Sequence, residues 1–171
     1  MSKPADNILL AIAGLGLLTG TLDAIAAIII SYPATPEQIA RFIASGLFGN
    51  DAFSGENMVA WGIFIHYMIA LAFSAAFFTL HLKFRKLTKN IYILAVIYGV
   101  LIWVTMNLAV LPLTEIPKRP EHDHIIWWPI IKGMLALIIC LGLPIAIFAE
   151  RYYRRIAKRR TRRDITGKMH G

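Results

Sequence analysis

Four side chains able to hold a proton, a charge or a directed hydrogen bond stand inside otherwise apolar runs: Asp23, His66, Asn107 and Lys132. In hydrocarbon an Asp, Lys or Arg at a helix centre costs about 2.5 to 3.5 kcal/mol on insertion scales, so each needs a partner or a watery cavity. A carboxylate and an imidazole could together bind a proton, a cation or a small polar ligand, with the amide of Asn107 orienting it and Lys132 balancing charge. The same groups could instead form a structural network, Asp23 hydrogen-bonded to Asn107 or Thr105 with no ligand at all. A second set lies in a polar stretch, Glu121-His122-Asp123-His124, where His122, His124 and Asp123 are the right donor types for a divalent metal and Asp51 and Glu56 could complete a shell. That spacing matches no standard metal motif.

The elements that must position these groups are apolar helices. Of the 171 residues 57% are hydrophobic and 16% charged, with a mean hydropathy of +0.60, a combination unlike that of a soluble domain. Four windows, about 8–31, 58–82, 91–113 and 127–148, each suffice to cross a hydrocarbon core of ~30 Å. The first exceeds the apolar core of a signal peptide and no A-x-A pattern follows it, so it reads as a retained span. Its Gly16-x-x-x-Gly20 lets a neighbouring backbone approach, and Asp23 lies one turn further along that face, which should therefore meet protein. Between the first two windows, Thr35-Pro36-Glu37-Gln38 has the spacing of a capping box with proline at the first helical position. Ile39, Ala40, Phe42, Ile43 and Leu47 give the segment 36–48 an apolar stripe, as expected of a short interfacial helix stopped by Gly46 and Gly49. Trp127, Trp128 and Pro129 make an interfacial start to the last span, and Pro144 is an expected kink.

Charge sets the expected orientation. Lys3, four residues in 83–89 and nine from Arg151 to Lys168 place 14 Lys/Arg on one side, against Arg41, Lys118 and Arg119 on the other. The sequence therefore predicts an all-α, left-handed four-helix bundle over residues 1–150 with both termini cytoplasmic, and a basic cytoplasmic tail over 151–171. With that topology and a rise of ~1.5 Å per residue, Asp23 and His66 both lie about 12 Å below the outer ends of their helices, Asn107 about 9 Å and Lys132 about 8 Å. The four groups thus form one polar layer in the outer half, where Lys132 could also simply snorkel outward. His81 is expected at the inner interface. A weak internal echo relates Thr21-Leu22-Asp23 to Thr105-Met106-Asn107 and the pair Trp61 and His66 to Trp127 and Lys132.

Several functions are excluded. The single cysteine, Cys140, leaves no disulfide, dithiol or cysteine-based zinc chemistry. His66 and His81 are some 22 Å apart on one helix by rise, too far to clamp a haem, and no cofactor is expected. No nucleophile elbow, phosphate loop, HExxH or paired catalytic carboxylates occur, which argues against an enzyme. The tail, with Arg154, Arg155, Arg159 and Arg160, suits anionic inner-leaflet lipid and carries no nucleic-acid-binding module.

Gly20-Thr21-Leu22-Asp23, Ser45-Gly46-Leu47-Phe48-Gly49, Gly62-Ile63-Phe64-Ile65-His66, Met106-Asn107-Leu108-Ala109-Val110-Leu111-Pro112-Leu113 and Gly142-Leu143-Pro144-Ile145-Ala146 together resemble a group of short bacterial inner-membrane proteins, the YagU-like proteins. The resemblance covers most of residues 14–150 and implies a four-helix membrane protein with Asp23, His66 and Asn107 inside its motifs. It implies no activity. The expected function is a non-enzymatic inner-membrane protein whose polar layer binds a small ligand, ion or proton, the alternative being a structural or accessory subunit. Four spans are few for an autonomous transporter, so a homodimer is an expected partner state. A reporter fused after Lys168 should be cytoplasmic, and cysteines introduced at Ser54 and His122 should react with an impermeant thiol reagent from the periplasm; labelling only after permeabilisation would reverse the topology.

Overall fold

The computed structural model describes residues 8–115 and 127–168, with side chains as far as Lys158. Among these residues there are helices and turns and no strand. The helices are α1 (Ile8–Ile30), α2 (Pro36–Phe48), α3 (Met58–Phe84), α4 (Ile91–Thr105), α5 (Trp127–Leu137) and α6 (Leu143–Lys168). Four stretches are long and apolar enough to cross a membrane: Ile8–Ile30, Met58–Phe84, Ile91–Leu113 and Trp127–Lys158. Their outer faces carry Leu9, Leu17, Ile29, Leu108 and Ile139, all more than half exposed, which only a lipid surrounding would cover. The chain is a multi-pass helical membrane protein.

Lipid gives apolar helices no reason to associate through apolar burial, so their contacts rest on close backbone approach and hydrogen bonds. Both are present. On α1 the buried face is Leu15, Gly16, Thr19 and Gly20, and a Cβ on Gly16 or Gly20 would overlap Leu71 or Tyr67 of α3. Thr19 Oγ1 lies 2.9 Å from Ser74 Oγ, and Thr21 Oγ1 3.0 Å from the Tyr67 hydroxyl. The small-residue face expected of the first span thus meets protein.

The capping box forms: Gln38 N donates to Thr35 Oγ1 at 3.2 Å and Thr35 N to Gln38 Oε1 at 2.9 Å. α2 ends at Gly49, whose φ of 55° is the left-handed conformation that glycine adopts without strain. The helix packs on α3, with Ala40, Ala44 and Ser45 buried and the Ala40 backbone against Gly62, where a Cβ has no room. Arg41 anchors the following turn by donating to the carbonyls of Ala52 and Gly55 at 3.2 and 3.1 Å while pairing with Glu37 at 3.0 Å.

The last two spans each contain a wide π turn, Met106–Val110 and Ile138–Gly142. Each sits just before a proline. Pro112 and Pro144 would drive their rings into the carbonyls of Leu108 and Cys140 in a regular helix. The π turns take up that clash, with Leu111 N–H reaching Met106 O and Leu143 N–H reaching Ile138 O, five residues back. The expected kink at Pro144 is thus a π turn, and the first two spans have no counterpart to it, so the weak internal echo does not extend to backbone geometry. Gly142 lies against the Ala95 carbonyl and Gly99 against the Ile138 backbone, which locks α4 onto the second π turn.

The final helix differs from expectation in length. It does not stop near residue 148 but runs through the basic stretch to Lys168. Arg, Lys and Ala are good helix formers, no glycine intervenes before Gly167, and Glu150 pairs with Arg154 one turn on. The core gathers Leu15, Phe77, Phe78, Leu94, Tyr98, Ile102, Leu141 and Ile145, from the middle of the bundle toward the end that bears the 85–90 turn. The opposite end, which bears α2, is more open.

Replacing Gly62 by leucine should separate α2 from α3 and cost about 1–3 kcal/mol, the usual range for overpacking. Gly14→Ala, where the added methyl meets nothing within 4 Å, should leave the melting temperature in detergent unchanged. Equal tolerance of both changes would contradict the α2–α3 contact.

Candidate functional site

At the open end a cavity of about 440 Å³ lies between α1, the first π turn and α5, lined by Asp23, Ser31, Trp103, Asn107, Pro129 and Gly133 among mainly apolar residues. Asp23 reaches it because it stands one turn beyond Gly20 on the packed face of α1. Asn107 reaches it from the π turn, and its Nδ2 donates to the Trp103 carbonyl at 2.8 Å. That bond assigns the amide's orientation, leaving Oδ1 as an acceptor. The Asp23 carboxylate receives no hydrogen bond and no ion pair from any described residue. It is a half-buried acid facing space.

The other two members of the expected polar layer, His66 and Lys132, do not line this cavity. His66 Nε2 is 2.8 Å from the Gly20 carbonyl. A carbonyl only accepts, so Nε2 carries the proton and donates. His66 also lines a separate apolar cavity of about 400 Å³ between α1, α2 and α3, with Ala24, Ile39, Ile63 and Tyr67. Asp23 and His66 are within electrostatic reach of each other but form no ion pair. Lys132 is not in the lining of the Asp23 cavity; its ammonium lies 5.1 Å from the centre of the Trp128 ring, a cation–π contact.

Among the described residues no group of three His, Cys, Asp or Glu could hold a metal. The proposed ligands His122, Asp123 and His124, with Glu121, lie outside the described residues. Of the arginines expected to face lipid, Arg155 is exposed, Arg154 is engaged by Glu150, and the side chains of Arg159 and Arg160 lie outside the description.

Sequence reasoning missed the most connected polar network among the described residues. His81, expected at the lipid interface, is fully buried. Its Nδ1 lies 2.9 Å from the Tyr98 hydroxyl, its Nε2 3.2 Å from Glu150 Oε2, and its ring stacks on Tyr153 with the planes 5° apart. Arg85 and Arg154 both pair with the same Glu150 carboxylate, which is also nearly buried. An ionised carboxylate accepts only, so His81 Nε2 donates to it, and the neutral ring then accepts at Nδ1 from Tyr98. Every donor points toward Glu150. The network joins α3, α4 and α6, and its two half-members were each legible as lone polar residues at the basic ends of their spans. Matching depth at that end, as was done for Asp23 and His66 at the other, would have paired them.

Compared with known protein families, curated proteins and solved structures, the chain matches none. Its chemistry is therefore read from its own geometry. Glu150→Gln should remove the anion that two arginines and His81 share and cost about 1–3 kcal/mol, the range for leaving buried donors poorly satisfied. His81→Leu should do similar harm by stranding the buried Tyr98 hydroxyl. Thermal unfolding in detergent checks both, with Arg155→Gln, on the exposed face of α6, expected to be neutral.

Proposed function

We propose that the protein is a non-enzymatic, four-span protein of the bacterial inner membrane, of the kind its motifs resemble, that binds a small ligand or ion in the Asp23–Asn107 cavity. Both termini are cytoplasmic in this reading, because 14 Lys/Arg flank one end of the bundle and three the other. α2 then lies at the outer surface, its exposed Phe42 and Leu47 toward the lipid headgroups, and Trp127 and Trp128 sit at the same interface. The basic face of α6 meets anionic inner-leaflet lipid.

One observation carries the reading: an acid inside a span opens onto a cavity and receives nothing from the described residues. A structural network would have closed around it, as the one around Glu150 does. An unpaired acid in hydrocarbon is kept at a cost to stability, and such costs accompany function. The accessory-subunit reading draws on a different observation, the tightly joined His81–Glu150 end, which would suit a rigid scaffold.

The two readings differ in what Asp23→Asn does. For a binding site, the substitution should leave the melting temperature unchanged or raise it by a few degrees, while a small molecule or ion retained by the wild type in native mass spectrometry disappears. For a scaffold, Asp23→Asn and Asp23→Leu should both lower the melting temperature, and the mass spectra of wild type and variant should agree.

A further inference from the structure

Resting on that reading of the cavity, we infer that its ligand class is the organic cation: an ammonium or related group carried on an apolar body. Three features of the cavity lead there. Its polar side-chain groups offer lone pairs, since the Asp23 carboxylate accepts and the Asn107 amide has spent a donor on Trp103 and turns its oxygen free. Ser31 adds a hydroxyl that can accept as well. An anionic ligand would find a negative charge and few donors.

No described residue forms an ion pair with Asp23, although His66 lies within electrostatic reach. The nearest strong cation along the chain of α5, Lys132, is drawn onto Trp128, and His66 turns its N–H to the Gly20 carbonyl. Among the described residues the cavity presents an acid with no ion-pair partner, and charge complementarity favours a positive occupant.

Size and lining then separate an organic cation from a metal or alkali ion. A bare hard cation wants about six to eight oxygen ligands. The lining has three oxygen-bearing side chains, while Ala27, Ile30, Leu111, Ile130, Ala136 and Leu137 wall the rest. A volume of about 440 Å³ falls in the range that encloses small organic ligands. Those aliphatic walls match an apolar body, and Trp103 supplies an aromatic side chain of the kind that favours alkylammonium groups.

The test uses the full chain in detergent or nanodiscs and measures equilibrium dialysis of three benzyl probes with tetrahedral heads: benzyltrimethylammonium, its uncharged carbon analogue neopentylbenzene, and phenylmethanesulfonate. Sodium and potassium salts are assayed in parallel by their effect on the melting temperature. The expected result is saturable binding of benzyltrimethylammonium alone, weakened at least tenfold by Asp23→Asn, retained by Asp23→Glu and weakened several-fold by Trp103→Leu. Asp23→Asn must keep the wild-type melting temperature for the comparison, and Asp23→Glu guards against loss of fold. If sodium, potassium, the neutral analogue or the sulfonate binds in an Asp23-dependent way and the ammonium does not, the cation class is wrong and the binding cavity stands. Equal uptake of the ammonium by wild type and Asp23→Asn marks partition into apolar walls and overturns the inference. If no probe and no salt shows any Asp23 dependence, the binding reading falls with it.

Discussion

In a bilayer no water is at hand for a polar group, so each hydrogen-bonding side chain within a span must be met by protein or keep a cavity open. The two ends of this bundle are two responses to that constraint. At the basic end Glu150 collects His81, Arg85 and Arg154, and aromatic rings from α3, α4 and α6 close over the assembly. At the other end Asp23 has no such escort among the described residues, and the helices around it leave a cavity. Packing density follows polarity here: the satisfied acid lies beside the core, and the unsatisfied one lies beside a hollow.

The hollow has a backbone origin. Pro112 and Pro144 each force a π turn four residues ahead, and a π turn is wider than the α-helix it interrupts. The first places Asn107 and Met106 in the cavity wall, and the second begins where Leu137 lines the same wall. Glycine works in the opposite direction. Gly16, Gly20, Gly62, Gly99 and Gly142 each let another helix come close, and none of them lines the Asp23 cavity. Close approach at those crossings and a gap at the prolines are complementary consequences of local residue choice.

How much of this could be read from the chain depends on range. The four spans, the cap at Thr35 and the packed glycine face of α1 rest on local pattern or composition, and they emerge close to where the pattern places them. α6 runs past its expected end because hydropathy marks where apolarity stops, not where helix does; Arg151, Arg154, Arg155 and Lys158 are charged and still good helix formers. The expected four-member layer required knowing which way each side chain turns about its helix, and depth alone does not give rotation. Lys132 shares a depth with Asp23 and lies over Trp128 instead, while His66 stays within electrostatic reach of Asp23 and spends its Nε2–H on the Gly20 carbonyl. The same gap in information hid His81, whose role depends on Glu150, 69 residues away.

These two acids also show why burial and function separate in this protein. Removing a satisfied group costs stability because its partners are stranded, so evolution can keep Glu150 for the fold alone. Among the described residues Asp23 takes part in no hydrogen bond and no ion pair, so neutralising it strands none of them. The space before it is walled by aliphatic side chains and faced by acceptors, and in the proposed reading its occupant brings positive charge and apolar surface together. The cavity's shape comes from two prolines, its polarity from one acid and one amide, and the selectivity inferred for it follows from their coming together in one place.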